Sequence, residues 1–273
     1  MIGIYLPLAY SLNLIVGFGG LLSVAHAAFY GIGAYAFTLL LTGAQFHPLV
    51  AVAAAVAITG LIALGAGTVS LRFRGDLFLF VTLGFQMIVF VLLHNWVGLT
   101  KGPYGIPGIP RPTFFGTIIR TPMQYAILAL AMNTLVLPLL FALYRSPFGK
   151  ALKALRENEA AASSLGINPR RLHLQAFVWS AAFAALPGAF YASYITYIDP
   201  TSFTLKESIF IAATLLLGGS GNRIGPLVGV VLMLLLPEAL RFVGLPDAVA
   251  HNLREIIYGL MLAVLMYLRP QGI

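Results

Sequence analysis

Few residues of this 273-residue chain could carry out chemistry, and those that could do not form a catalytic set. There are no cysteines, so disulfides, thiolate metal sites and cysteine nucleophiles are excluded. The sequence contains neither the H-E-x-x-H pattern of zinc hydrolases nor the G-x-S-x-G pattern of serine hydrolases. The glycines at 17–20 and 218–221 are not followed by the Lys-Ser/Thr of a phosphate-binding loop. We therefore expect no enzymatic activity, no bound metal and no cofactor.

The densest group of charged side chains lies between residues 145 and 172. Ser146-Pro147 is a helix-start signal, because serine accepts a hydrogen bond from a free backbone N–H and proline fits the first helical turn. The sequence predicts one helix from 147 to 162, ended by Gly166, which can adopt a positive φ. Asn168-Pro169 predicts the start of the next helix in the same way. Either this helix is part of a solvated hairpin that obeys the positive-inside rule, or it is a stiff element that docks in a groove of another protein.

The composition then fixes the class of protein that must position these residues. The chain is 60% apolar and only 9% charged, against about 25% charged for a soluble domain. We predict an all-α, polytopic integral membrane protein with about eight or nine transmembrane helices, some of them broken or re-entrant. The apolar segments are 2–17, 27–42, 48–71, 77–97, 122–144, 173–195, 207–219, 224–243 and 255–268.

The positive charges orient the chain in the membrane. Six of the 16 Lys and Arg residues lie in the segment 145–172, and cytoplasmic loops retain positive charge. Placing that segment in the cytoplasm puts ten basic residues inside and six outside. The Gly/Pro-rich segment 98–121 is then external, and its aromatic and apolar content indicates a packed cap rather than a linker. We expect a single transmembrane domain over 1–273.

Two kinds of motif carry a resemblance to a known family. Glu159-Ala160-Ala161, with Gly166 downstream, resembles the EAA loop of ABC importer permeases, although the glycine lies one residue further from the glutamate than in the general motif. Blocks at 19–35, 71–76, 81–85, 102–110 and 217–226 occur in order and are similar to the branched-chain amino acid permease family, in its LivM-like subunit. The chain starts close to the first block, so we expect that an apolar helix common before it in relatives is absent.

The resemblance implies a function and a set of partners. The chain would be the permease subunit of an ABC importer for branched-chain or related hydrophobic amino acids, in the bacterial cytoplasmic (inner) membrane. Its partners would be a homologous permease subunit, two cytoplasmic ATPase subunits, an external solute-binding protein and membrane lipid, with no nucleic acid. The residues expected to couple to the ATPase are Arg156, Glu157, Glu159, Ala160, Ala161 and Gly166.

Candidates for a translocation path or gate are fewer and each has a structural alternative. For His26 the alternative is a hydrogen-bonded packing histidine, and for the glycines it is close helix–helix contact. Relatives often carry an acidic residue where this chain has Gln86-Met87, so we expect no carboxylate to be required there. The candidates are His26, Gly31, Gly33, Thr82, Gly218 and Gly219.

Two other functions stay open on the sequence. A permease of the same superfamily for urea, short amides or simple sugars would look much the same, because another polypeptide largely selects the substrate. An ion-coupled secondary transporter usually depends on intramembrane carboxylates, since such groups are costly in lipid and are retained for function. In this sequence Glu238 is the candidate for such a role, with Arg241 one turn later as its expected partner.

Overall fold

The computed structural model describes residues 1–73, 75–114, 117–241 and 259. This part of the chain is mostly helical with almost no strand, which confirms the all-α class. The helices are α1 (Ile2–Asn13, continued by a π-helical turn, Leu14–Phe18), α2 (His26–Thr42), α3 (Pro48–Ser70), α4 (Asp76–Asn95), α5 (Val97–Thr100), α6 (Pro122–Arg145), α7 (Pro147–Glu157), α8 (Glu159–Ser164), α9 (Pro169–Ile195), α10 (Leu205–Gly218) and α11 (Gly225–Arg241). The strands are β1 (Ile106–Pro107), β2 (Thr113–Phe114), β3 (Thr117–Ile118) and β4 (Tyr197–Ile198), and 3-10 turns cover Gly102–Tyr104 and Pro200–Phe203.

Length and composition identify the helices that could span a membrane. Five helical segments of the described chain are long and apolar enough to cross a membrane: α3, α4, α6, α9 and Pro200–Gly218. Three shorter apolar helices accompany them, α1 with its π turn, α2 and the start of α11. Eight of the nine apolar segments predicted from the sequence therefore coincide with helices to within a few residues. The ninth, 255–268, lies outside the described residues apart from Gly259.

The core forms where α9 packs against α1, α2 and α3. Small residues allow the backbones to come close, as is usual where lipid rather than water surrounds the helices. A Cβ at Gly33 of α2 would overlap the backbone of Ala185 on α9, and a Cβ at Gly188 would overlap the carbonyl group of Tyr30. Neither position has room for a side chain. Close helix contact, the alternative stated for Gly33, is thus what the structure contains.

Residues 102–109 of the Gly/Pro-rich segment 98–121 pack onto the helical body as a cap. Its strand β1 pairs with β4 in antiparallel register, with Ile106 opposite Ile198. The backbone N–H of Ile109 donates to the carbonyl oxygen of Thr196 at 3.2 Å, and the Ile109 side chain is buried. Because α9 begins just after α8 and ends just before β4, this cap and α7 lie at opposite ends of the membrane-spanning helices.

Candidate functional site

The charged segment folds into two short helices rather than one. Ser146 begins α7 as predicted, its Oγ accepting a hydrogen bond from the backbone N–H of Gly149 at 3.3 Å. The predicted continuous helix from 147 to 162 is wrong, because Asn158 is extended, with φ −156° and ψ 100°. Asn158 starts α8 instead, since its Oδ1 accepts from the N–H of Ala161 at 3.0 Å. Asparagine favours such N-terminal caps over helix interiors.

The second half of the segment follows the sequence prediction. Gly166 has a φ of +85° and comes just after α8, which ends at Ser164. Asn168 caps α9, and its Oδ1 accepts from the N–H of Arg171 at 3.1 Å. The segment between α6 and α9 is therefore a helix–turn–helix hairpin whose three helix starts are each fixed by a side chain.

The two sides of this hairpin differ. Leu152 and Leu155 are buried against the protein, as their shared face predicted. On α8, Ala160 and Ala161 are exposed, and Leu165 just after it has 83% of its surface exposed. The hairpin thus has a buried apolar face and an exposed face of small residues that is followed by Leu165.

Arg156, one of the predicted coupling residues, contacts the transmembrane part of its own chain. Its guanidinium donates a hydrogen bond to the backbone carbonyl of Gly17, where the π-helical turn after α1 ends. It also lies against Gly20 and Gly221, where a Cβ would contact the arginine side chain. Leu152 occupies the neighbouring space beside Gly19. Arg156 thus joins α7 to two glycine-rich breaks in the transmembrane helices.

The glycine-rich break between α10 and α11 is in turn held by α1. The Oδ1 of Asn13 accepts from the N–H of Gly221 at 2.8 Å, and its Nδ2 donates to the carbonyl of Asn222 at 2.9 Å. The hydroxyl of Tyr10 donates to the carbonyl of Arg223 at 2.5 Å. We call Asn13, Gly17, Arg156 and Gly221 the α7 junction, because through them α7, α1 and the α10–α11 break form one connected unit.

A second polar site lies inside the helix bundle, where α2 begins. The chain leaves the π-helical turn and runs without helix through residues 21–25, so the N–H groups just before α2 and in its first turn lie in an apolar environment. Of these, the Ala28 N–H also donates to the carbonyl of Ala25 at 3.1 Å. Three side chains satisfy them. Thr82 accepts from the N–H of Val24 at 3.3 Å, Ser208 from Ala27 at 2.8 Å and Gln86 from Ala28 at 2.7 Å.

Gln86 is the centre of this second site and was not singled out as functional from the sequence. Its Oε1 accepts from Ala28 and from the Ser208 hydroxyl, and its Nε2 donates to the carbonyl of Phe203 at 2.9 Å. It is fully buried near the middle of α4. One amide thereby connects α2, α4 and the start of α10. An amide can donate and accept at once, whereas an ionised carboxylate can only accept.

The predicted path residues all make packing contacts. His26 is buried and its Nε2 lies 2.8 Å from the hydroxyl of Ser11. Thr82 serves the α2 start, and a Cβ on Gly31 would meet the ring of Phe203. Gly218 lies against the backbone of Gly225, and Gly219 has a φ of +98°. His26, Gly31 and Thr82 thus lie at or near the start of α2. Gly218 and Gly219 form a separate group at the α10–α11 break.

One intramembrane carboxylate, Glu207, was not predicted as a site residue from the sequence. Glu207 lies in the first turn of α10, half-buried, and its Oε1 accepts from the hydroxyl of Tyr5 on α1 at 2.6 Å. In the sequence this residue is the first of the apolar segment 207–219, and a charged residue at the end of a predicted span does not by itself indicate a functional site. The side chains of Glu238 and Arg241 lie outside the described part of the chain.

Comparisons with known proteins identify the family. Residues 1–266 match the family model described as "Branched-chain amino acid transport system / permease component". The chain belongs to this permease family. It is 36% identical to the high-affinity branched-chain amino acid transport system permease protein LivM of Escherichia coli (strain K12), over 99% of this chain and 67% of that protein. No solved structure matches it.

More distant relatives widen the range of named functions. The probable LivM of Methanocaldococcus jannaschii is 25% identical over 69% of this chain and 56% of that protein. The guanosine ABC transporter permease protein NupQ of Bacillus subtilis is 28% identical over 72% of this chain and 64% of that protein. The family match and LivM make this permease a multi-pass transport protein of the bacterial inner membrane, in a family of transport permeases.

Proposed function

We propose that this permease is one of two homologous transmembrane subunits of an ABC importer for branched-chain amino acids. Two cytoplasmic ATPases would drive it and an external solute-binding protein would supply the substrate. The α7–α8 hairpin would receive the force, which places α7 in the cytoplasm and the 98–121 cap outside, as the positive charges predict. The observation that carries this proposal is the link from Arg156 to Gly17 and Gly221, since a coupling element needs a path into the transmembrane helices.

The docking surface would be the exposed side of α8 and the turn after it. Ala160 and Ala161 permit close approach, and Leu165 offers an apolar side chain to a groove. Three capped helix starts keep the hairpin stiff. Glu157 and Glu159 would then set the register of docking through charge. Gly166 would preserve the turn, because its φ of +85° is strained for any residue with a side chain.

The gating step would be a rigid-body movement between two states. When the ATPases close, they would displace α7, and Arg156 would carry the displacement to the end of α1 and to the α10–α11 break. Both are glycine-rich interruptions, where a helix bends at low cost. The helices attached to them would tilt and open the substrate path on one side of the membrane or the other.

The proposed substrate rests on the names of the relatives. Two relatives that are 36% identical over 99% of this chain are named as branched-chain amino acid permeases. We propose that the external binding protein performs most of the selection and that the path binds substrate weakly. Equilibrium binding of leucine to the permease pair without the binding protein should then be weak. Tight leucine binding by the pair alone would contradict this part of the proposal.

A second substrate class, the nucleosides, has support from NupQ, which is named as a guanosine permease. Measuring which solutes the partner binding protein retains distinguishes the two classes. An ion-coupled transporter, for which Glu207 would be the carboxylate, predicts instead that uptake follows an ion gradient without an ATPase.

The coupling role is tested by two substitutions in the hairpin, each with a milder partner. Glu159→Lys and Gly166→Leu should leave the protein inserted and ATP hydrolysis measurable, while substrate uptake falls about tenfold. Glu159→Gln removes the charge without reversing it, and Gly166→Asn introduces a residue that tolerates positive φ. Both should therefore lose less substrate uptake than Glu159→Lys and Gly166→Leu. Wild-type uptake in both severe variants would remove the hairpin from the mechanism.

A further inference from the structure

A basic cavity opens beside the α7 junction, at the end of the transmembrane helices. Its volume is about 650 Å³. Among the described residues that line it, four are cationic and none is acidic. The four cations are Arg145, Lys150, Lys153 and Arg223. The other lining residues are Phe18, Tyr144, Gly149, Gly221, Asn222 and Ile224.

The backbone that carries these cations is rigid. Lys150 and Lys153 lie one turn apart on α7, which is held by buried Leu152 and by Arg156. Arg145 ends α6 immediately before the Ser146 cap. The carbonyl of Arg223 is held by Tyr10, and the neighbouring Asn222 by Asn13. Four like charges converge on one space from three segments, an arrangement that an anion would stabilise.

The cavity also has an apolar side. Phe18 stacks on Tyr144 with ring centroids 4.3 Å apart. Ile224, which lines the cavity, is 64% exposed, and with Leu227 and Leu235 it forms an exposed apolar stripe along α11. This stripe begins at the cavity and continues into the span. A free inorganic anion would make no favourable contact with such an apolar surface, whereas a lipid acyl chain would pack against it.

We propose that the basic cavity binds the phosphate headgroup of an anionic phospholipid, with the acyl chains lying along α11. Basic pockets between transmembrane helices at the membrane surface bind such headgroups, and juxtamembrane cations each add to the attraction. The bound phosphate would bridge Lys150 and Lys153 of α7 to Arg223 of the α10–α11 break. The lipid would thus reinforce the same connection that Arg156 makes. Coupling between ATP hydrolysis and transport would depend on the anionic lipid content of the membrane.

The test uses the assembled importer, in nanodiscs of phosphatidylcholine with a rising fraction of phosphatidylglycerol. Retained phosphatidylglycerol is counted by native mass spectrometry, and uptake is measured in proteoliposomes of the same compositions. The double variant Lys150→Gln/Lys153→Gln should bind phosphatidylglycerol about tenfold more weakly. The matched control is Arg170→Gln/Arg171→Gln, which removes two positive charges from the same segment outside the cavity and should bind like wild type.

Three results would overturn the proposal. Equal loss in the cavity and control variants would mean that general surface charge attracts the lipid. Undiminished binding by the cavity variant would exclude the two lysines. Displacement of phosphatidylglycerol by millimolar inorganic phosphate would assign the cavity to a soluble anion. Lys150→Arg/Lys153→Arg keeps both charges, and restored binding in this variant separates a lost headgroup contact from a misfolded hairpin.

Discussion

The guanidinium of Arg156 donates to the backbone carbonyl of Gly17, so α7 is bound directly to the end of the first transmembrane helix. The same side chain lies against Gly221 in the break between α10 and α11. Arginine suits this position because its planar, always charged head reaches two backbone segments at once. A displacement of α7 therefore has a direct route into the bundle, besides the covalent route through α6 and α9.

The first prediction concerns this link. Replacing Arg156 with Gln should reduce substrate uptake by the assembled importer about tenfold while ATP hydrolysis continues, because α7 then moves without carrying Gly17. Arg156→Lys keeps the charge but loses the planar guanidinium, so its substrate uptake should lie between that of wild type and that of Arg156→Gln. Arg171→Gln is the control for charge loss in the same segment. Parallel assays of uptake and phosphate release decide it, and unchanged transport by Arg156→Gln would disprove the link.

The second prediction concerns Gln86. Gln86→Leu leaves the Phe203 carbonyl without its partner inside the bundle and removes one of the two acceptors of the Ala28 N–H, which also donates to Ala25. A buried polar group left unsatisfied costs about 1–3 kcal/mol. The thermal midpoint of the purified permease should fall by roughly 5 °C or more. Met87→Leu, at the adjacent partly exposed position, should leave the midpoint near that of wild type. Equal midpoints for both variants would show that the Gln86 hydrogen bonds do not stabilise the start of α2.

The third prediction compares two helical glycines. Gly33 faces the backbone of Ala185, whereas a Cβ on Gly84 of α4 would meet nothing within 4 Å. Gly33→Ala should lower the free energy of unfolding by about 1–3 kcal/mol through overpacking. Gly84→Ala should be neutral or raise it by up to about 1 kcal/mol, because alanine favours helix. Unfolding in mixed micelles measures both, and similar effects at the two sites would contradict the close packing of α2 on α9.

The sequence predicted the helices well because apolar segments long enough for a membrane have few other structures available. Eight segments, the Ser146 and Asn168 caps and the turn at Gly166 all follow from local chemistry. The break at Asn158 does not, because alanine-rich sequence on both sides favours helix and the competing cap is a small local term. That the asparagine side chain accepts from Ala161 decides the outcome.

The interior sites could not be predicted because they depend on where distant segments meet. Gln86 gains its role only when the starts of α2 and α10 meet at the middle of α4, which no local pattern in α4 records. Glu207 looked like the edge of a span because nothing in the sequence indicates that α10 begins inside the bundle. Arg156 was expected to face another protein, since an amphipathic helix does not reveal which of its cations folds back.

The most direct test of the account is uptake of leucine into proteoliposomes that contain the permease pair, with and without the two ATPase subunits. The external binding protein, leucine and ATP are supplied in both cases. With the ATPases present, we expect ATP-dependent accumulation of leucine. Without them, we expect no leucine uptake above that of empty liposomes. Accumulation by the permease pair alone, driven by any ion gradient, would contradict the claim that the α7–α8 hairpin is moved by a separate ATPase.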